Sequence, residues 1–312
     1  MTFNFSPKIK SAATLLMWLV LIGYAWYIRE SFAPLAEIPS ASLVGLCLLI
    51  AIQLALQIIQ LPLLLSALGS QLKWHFWLPL GIISSTLNML LPAQGGTALR
   101  TLYLKSQHNV PYSDSIALST FQVLIRTLCV GVIALVTLSL YLYNHQPHLL
   151  SYLLYGLGAA AFFLIMSVIL FKKLKGKIAH PWLFALNNAL RLLSSNYRLL
   201  YITISLNLLI FCCNAALFAL LLGLFGMPVS IELILLYTSI KFLVLIFNLL
   251  PGNMGISEIL TGFFTQLIQG DFEIGVAVAI CARTLTLAVA LSASGICLYF
   301  SKKDSQPNVQ NK

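Results

Sequence analysis

Asn88-Met89-Leu90-Leu91-Pro92-Ala93-Gln94-Gly95-Gly96, in the first half of the chain, is echoed by Asn248-Leu249-Leu250-Pro251-Gly252-Asn253-Met254-Gly255 in the second. Both stretches interrupt apolar sequence with Leu-Leu-Pro, and both set a glycine four residues after the proline. Proline removes a backbone donor and glycine admits unusual dihedrals, so each stretch predicts a broken helix. Each is followed by an apolar span carrying an arginine: Arg126, 34 residues after Pro92, and Arg283, 32 after Pro251. Irregular backbone at membrane depth must be buried in protein or line a wet cavity.

The surrounding sequence makes that depth the right setting. The chain of 312 residues is 60% hydrophobic and 8% charged. Its mean hydropathy is +0.94. A soluble domain carries about 25% charged residues. The natural unit here is the membrane span of roughly 20 apolar residues. The apolar runs are long and lack the short alternation of a β-barrel. The expectation is an all-α, polytopic membrane protein, a single transmembrane domain over residues 1–312.

The net charge of +10, from 18 basic and 8 acidic residues, does not argue for nucleic acid in such a chain. Lys and Arg mark cytoplasmic loops and meet anionic lipid head groups. The six cysteines (Cys47, Cys129, Cys212, Cys213, Cys281, Cys297) all sit in apolar runs and read as packing residues. The histidines fall in loops or at span ends with no zinc spacing, and no nucleotide-binding or Ser-His-Asp pattern occurs. No metal or cofactor is expected.

Apolar segments lie at about 11–28, 41–68, 75–91, 115–143, 149–171, 199–225, 231–250 and 274–300, with shorter ones at 97–104 and 256–268. The first reads as an uncleaved span rather than a signal peptide. Lys8, Lys10, Lys73, the basic loop 172–198, and Lys302 with Lys303 in the short tail 301–312 all point to the cytoplasm. The loops 144–148 and 226–230 lack Lys and Arg and point outward; Arg29 beside Glu30 is the one discordant mark. Counting crossings then leaves 75–110 beginning and ending inside, and 231–270 beginning and ending outside. Six full crossings remain, with two re-entrant broken hairpins entering from opposite faces. Opposite topology with similar sequence marks inverted-repeat halves, about 41–143 and 199–300, with N and C termini cytoplasmic. Broken helices at matching positions of such halves point to a substrate site.

Charges within the apolar runs sharpen the expectation. Arg126 lies about 16 Å along its helix from Ser115, near the middle of a hydrocarbon core about 30 Å thick. Arg283 lies about 14 Å along its own span. Lys241 is near the middle of 231–250, and Arg100 and Glu258 flank the breaks. A central charge costs about 2.5–3.5 kcal/mol on insertion scales, so such residues face a cavity or a partner. An Arg283–Glu258 bridge holding helices together is one reading. A polar cavity for a charged head group is the other, and the positive excess suits a phosphate. The expected substrate-binding set is Arg100, Arg126, Arg283, Glu258 and Lys241. The expected shapers of the breaks are Pro92, Gly95, Gly96, Pro251, Gly252, Asn253 and Gly255.

At these motifs the chain resembles the lysylphosphatidylglycerol synthase transmembrane-region family, also called flippase-like domain proteins. The family's first motif, Pro-x-Arg-x-Gly-Glu-x-x-Arg, stands here as Pro92-Ala93-Gln94-Gly95-Gly96-Thr97-Ala98-Leu99-Arg100. Pro92, Gly96 and Arg100 match, while Gln94 and Thr97 replace the usual Arg and Glu. The second, Pro-Gly-Gly-x-Gly-x-x-Glu, stands as Pro251-Gly252-Asn253-Met254-Gly255-Ile256-Ser257-Glu258, with only Asn253 departing. Arg126 and Arg283 fall where the family has an arginine in the following span. The resemblance runs from about residue 10 to 300. It implies lipid translocation without the soluble synthase domain.

The sequence thus predicts a multi-pass plasma (inner) membrane protein. It would move or handle an anionic phospholipid, glycolipid or polyprenyl-phosphate-linked lipid, acting as a transporter rather than an enzyme. The alternative is a membrane-embedded accessory subunit or transferase of lipid or envelope biosynthesis. Expected partners are membrane lipids and lipid-biosynthesis enzymes.

Overall fold

The computed structural model describes Trp26 and residues 39–67, 72–91, 95–145, 196–227, 230–232, 234–235, 237–239, 242, 255–267 and 271–304. Its helices are α1 (Ser40–Ala67), α2 (Trp74–Leu90), α3 (Gly95–His108), α4 (Tyr112–His145), α5 (Tyr197–Leu224), α6 (Ile256–Leu267) and α7 (Phe272–Asp304). No strand occurs among the described residues. Four of these helices, over 40–66, 112–137, 197–224 and 272–299, are long and apolar enough to cross a membrane. They coincide with four of the expected crossings. The other two, 11–28 and 149–171, and most of the basic loop 172–198 lie outside the described residues.

The outward faces of these helices are apolar. Leu43, Val44, Leu48 and Ile52 on α1 are exposed, as are Val123, Leu128 and Val132 on α4. In water such surface would be costly; in hydrocarbon it is the expected exterior.

Packing fixes the relative directions. Near the start of α1, Leu46 and Ile50 pack with Leu217 to Leu222 at the end of α5. Near its end, Leu61, Leu64 and Leu65 pack with Leu199 at the start of α5. The two helices are therefore antiparallel. Beside them, α4 runs parallel to α5: Leu118 to Ile125 meet Leu199, and Val130 meets Ile210 and Phe211. Likewise α7 runs parallel to α1, with Val278 near Ile50 and Ala290 near Ile58.

Two apolar clusters occupy opposite ends of the bundle. One gathers the end of α1, Trp77 of α2, Leu104 of α3, Val110, the start of α4 and the start of α5. The other gathers the start of α1, the end of α5, Tyr237 and the start of α7.

Between α1 and α4 the chain folds back on itself. Leu91 leaves α2 in an extended conformation (φ −100°, ψ 143°), as a residue before proline must. Just beyond the turn the Thr97 N–H donates to Asn88 Oδ1 at 2.9 Å, and Asn88 Nδ2 donates to Thr97 Oγ1 at 3.1 Å. At the open end the rings of Phe76 and His108 lie 5.4 Å apart. Each of those rings is sixteen residues from Pro92. So α2 and α3 form an antiparallel hairpin whose two ends meet at one end of the bundle. In the second half the Tyr237 hydroxyl hydrogen-bonds Thr265 Oγ1, and each of these residues is fourteen from Pro251.

Candidate functional site

A polar stripe runs along the first half of α4, beside the apolar cluster at that end of the bundle. Ser115, Ser119, Gln122 and Arg126 follow one another at spacings of four, three and four residues, which places them on one helix face. Each is met by a different neighbour. From α3, Thr101 shares a 2.9 Å hydrogen bond with Ser115, and Arg100 Nη2 donates to Ser119 Oγ at 3.1 Å. From α1, Gln60 Oε1 accepts from Gln122 Nε2 at 3.2 Å. From α5, Asn207 Oδ1 accepts from Arg126 Nε at 3.4 Å. The Arg126 guanidinium carbon lies 5.9 Å from the centroid of the Phe242 ring, within cation–π range.

The short helix α3 can reach α4 because Gly96 lets it lie against α2. A Cβ on Gly96 would collide with the Ser84 carbonyl oxygen and the Asn88 nitrogen. Gly95 packs beside the Leu91 side chain.

In the second half Arg283 is paired with Glu258. Glu258 is 2% exposed, and its Oε1 lies 2.5 Å from Arg283 Nε. No aligned hydrogen bond reaches Oε1, so that contact is electrostatic. Glu258 Oε2 accepts from the Gly255 N–H at 2.7 Å and from Ser257 Oγ at 2.9 Å. Arg283 Nη2 donates to Ser257 Oγ at 2.7 Å. Gly255 has φ +82°, a left-handed conformation that glycine adopts freely. Its N–H bond to the carboxylate three residues on is half of a capping box. A carboxylate in the first turn of α6 also faces the positive end of the helix dipole. The closing of α6 onto α7 needs Gly262 and Gly275, where added Cβ atoms would strike Phe272 O and Thr265 Oγ1 respectively.

The structure thus brings Arg100 and Arg126 to one helix face and sets Arg283 apart with Glu258. Among the described residues, Arg283–Glu258 is the ion pair, and no carboxylate faces Arg100 or Arg126. Lys241, Pro92, Pro251, Gly252 and Asn253 lie outside the described residues. Gln60, Ser119, Gln122 and Asn207 were not among the residues expected from the sequence. Their signal was available: polar residues at helical spacing inside apolar runs share a face.

A family model described as lysylphosphatidylglycerol synthase TM region matches residues 11–294. No curated protein matches the chain, and no solved structure matches it.

Proposed function

The chain belongs to the lysylphosphatidylglycerol synthase transmembrane-region family, a membrane family, and from that membership we propose that it is a lipid flippase-like transporter for an anionic lipid. Four apolar helices within this family make it a multi-pass membrane protein. In our reading it sits in the plasma (inner) membrane with both termini cytoplasmic. The α2–α3 hairpin enters from the cytoplasmic face, and its counterpart around Pro251 enters from the other. The antiparallel run of α1 and α5, and the two apolar clusters at opposite ends, support two halves of opposite orientation. Broken helices at matching positions of such halves are where transporters hold substrate.

One observation carries the reading. Arg100 and Arg126 meet the same face of α4, inside an apolar bundle, with no carboxylate opposite them among the described residues. An intramembrane charge is expensive and ordinarily marks a substrate path or a paired partner. Where the partner is missing, an anionic head group supplies it. Arginine is suited to a phosphate because its planar fork donates two parallel hydrogen bonds.

The test is reconstitution. Purified protein in proteoliposomes should speed the appearance of labelled phosphatidylglycerol or polyprenyl phosphate in the opposite leaflet. Movement no faster than in protein-free vesicles rules transport out.

A further inference from the structure

The two halves offer an anion very different surroundings. In the second, Arg283 directs Nε at Glu258 and Nη2 at Ser257. Its charge is neutralised. In the first, three buried nitrogens have no partner among the described residues: Arg100 Nε and Gln60 Nε2 beside α4, and His108 Nε2 at the open end of the α2–α3 hairpin. Gln60 is 1% exposed and uses only the other end of its amide, toward Gln122. The hydroxyl of Ser119 accepts from Arg100 Nη2 and spends its one proton on the Ser115 carbonyl at 3.0 Å. Arg126 spends Nε on Asn207, and no hydrogen bond occupies its terminal nitrogens among the described residues.

Buried donors without acceptors are rare, because desolvation is then uncompensated. Here two unpaired buried donors and a second guanidinium flank one stretch of α4, on residues 119–126, about 10 Å long. All are donors and two carry positive charge. A ligand that answers them presents several acceptor oxygens and negative charge.

We propose that Gln60, Arg100 and Arg126 form one binding site for a phosphate-type oxyanion, confined to the first half, while Arg283 is committed to Glu258 and takes no part. This rests on the anionic-substrate reading above and narrows it to one place. Gln60 contributes a donor to the phosphate oxygens without adding charge, and the two uncompensated arginines favour a head group of net negative charge over a zwitterionic one.

The experiment uses the full chain in detergent, exchanged into equal phosphatidylglycerol and phosphatidylcholine, with retained lipid counted by native mass spectrometry. The wild type retains phosphatidylglycerol preferentially. Gln60→Glu supplies the arginines with a built-in carboxylate, so it keeps the fold and lowers that preference about tenfold or more. Gln60→Leu lowers it less. Thr86→Val removes a buried hydrogen bond of the same kind between α2 and Ser294 of α7, away from any arginine, and keeps the preference. A parallel arm adds inorganic phosphate to protein in phosphatidylcholine alone and follows thermal stability. Stabilisation there that Gln60→Glu removes identifies free oxyanion as a ligand; stabilisation by phosphatidylglycerol only identifies the lipid head group. Either result supports the site. The proposal is overturned if Gln60→Glu binds like the wild type, if Thr86→Val loses as much, or if the wild type responds to neither probe. Retained anionic lipid without leaflet-to-leaflet movement would sink the transport reading and leave the site standing.

Discussion

Glu258 and Arg283 form an ion pair between α6 and α7, the carboxylate buried and the guanidinium partly so, with carboxylate oxygen and guanidinium nitrogen 2.5 Å apart. The carboxylate is also tied to the backbone where α6 begins, at Gly255. One side chain therefore caps a helix and holds it against the next. Breaking a buried pair by removing one partner costs about 3–5 kcal/mol, because the other charge is stranded. Arg283→Gln should lower thermal stability by that order, read from tryptophan fluorescence in detergent. Adding Glu258→Gln to it should recover part of the loss, since no lone charge remains. A double variant as unstable as the sum of both single changes would mean that the two side chains are not coupled.

Gly255 and Gly96 occupy matching places in the two motifs but are required for different reasons. At Gly255 the cause is backbone conformation, φ +82°. An alanine there should cost about 1–2 kcal/mol, and asparagine, which tolerates this conformation, less. At Gly96 the cause is space, because α2 backbone atoms occupy the position of a Cβ. Alanine and asparagine should both be harmful there, by about 1–3 kcal/mol for the forced displacement. Stability of the four variants separates the causes: rescue by asparagine at 255 and none at 96. Equal rescue at both sites would contradict the geometric reading of Gly96.

The sidedness of the hairpins is open to direct labelling. With native cysteines removed, single cysteines at Lys73 and Lys105 should react with an impermeant reagent from the cytoplasmic face. Cysteines at Gly226 and Asp271 should react from the other. The packing puts the two groups at opposite ends of the bundle, since α2 and α3 share their open end with the end of α1, while Gly226 follows the opposite end of α5; the basic residues of the loops supply the choice of face. Lys73 and Lys105 labelling from different faces would mean that the α2–α3 segment crosses the membrane.

Much of this arrangement was legible in the sequence because a membrane simplifies the code. Long apolar runs gave α1, α4, α5 and α7 within a few residues, and proline with glycine marked where α2 ends. Even the bridge of Glu258 to Arg283 was one of the two readings of those charges. The first-half site was harder. Gln60 and Gln122 lie 62 residues apart, and nothing local says that α1 and α4 bring them together. Asn207 reads as a packing amide until Arg126 is found beside it. Pairing between distant spans is a tertiary fact, set by which apolar ridges interlock, and leucine-rich faces hide that choice. The first motif hid more, since Thr97 stands where a glutamate was expected. Its hydrogen bonds to Asn88 tie α3 to α2 without charge, so no local acid is left for Arg100.

That missing acid makes Arg126 the residue whose substitution says most about mechanism. Its guanidinium is oriented from two sides, by Asn207 on α5 and by the Phe242 ring. Arg126→Lys keeps the charge, but an ammonium cannot donate from an Nε-like position while presenting a flat fork to a phosphate. If geometry matters, labelled phosphatidylglycerol should cross proteoliposomes about fivefold to tenfold more slowly, with apparent affinity weakened. Arg126→Gln, which removes the charge as well, should be slower still. If charge alone mattered, lysine would match arginine and only glutamine would fail. If Arg126 merely packed α4 against α5, both variants would lose stability together, and flux per folded protein would not change. The ratio of the two fluxes therefore separates a positioned phosphate ligand from a diffuse positive field.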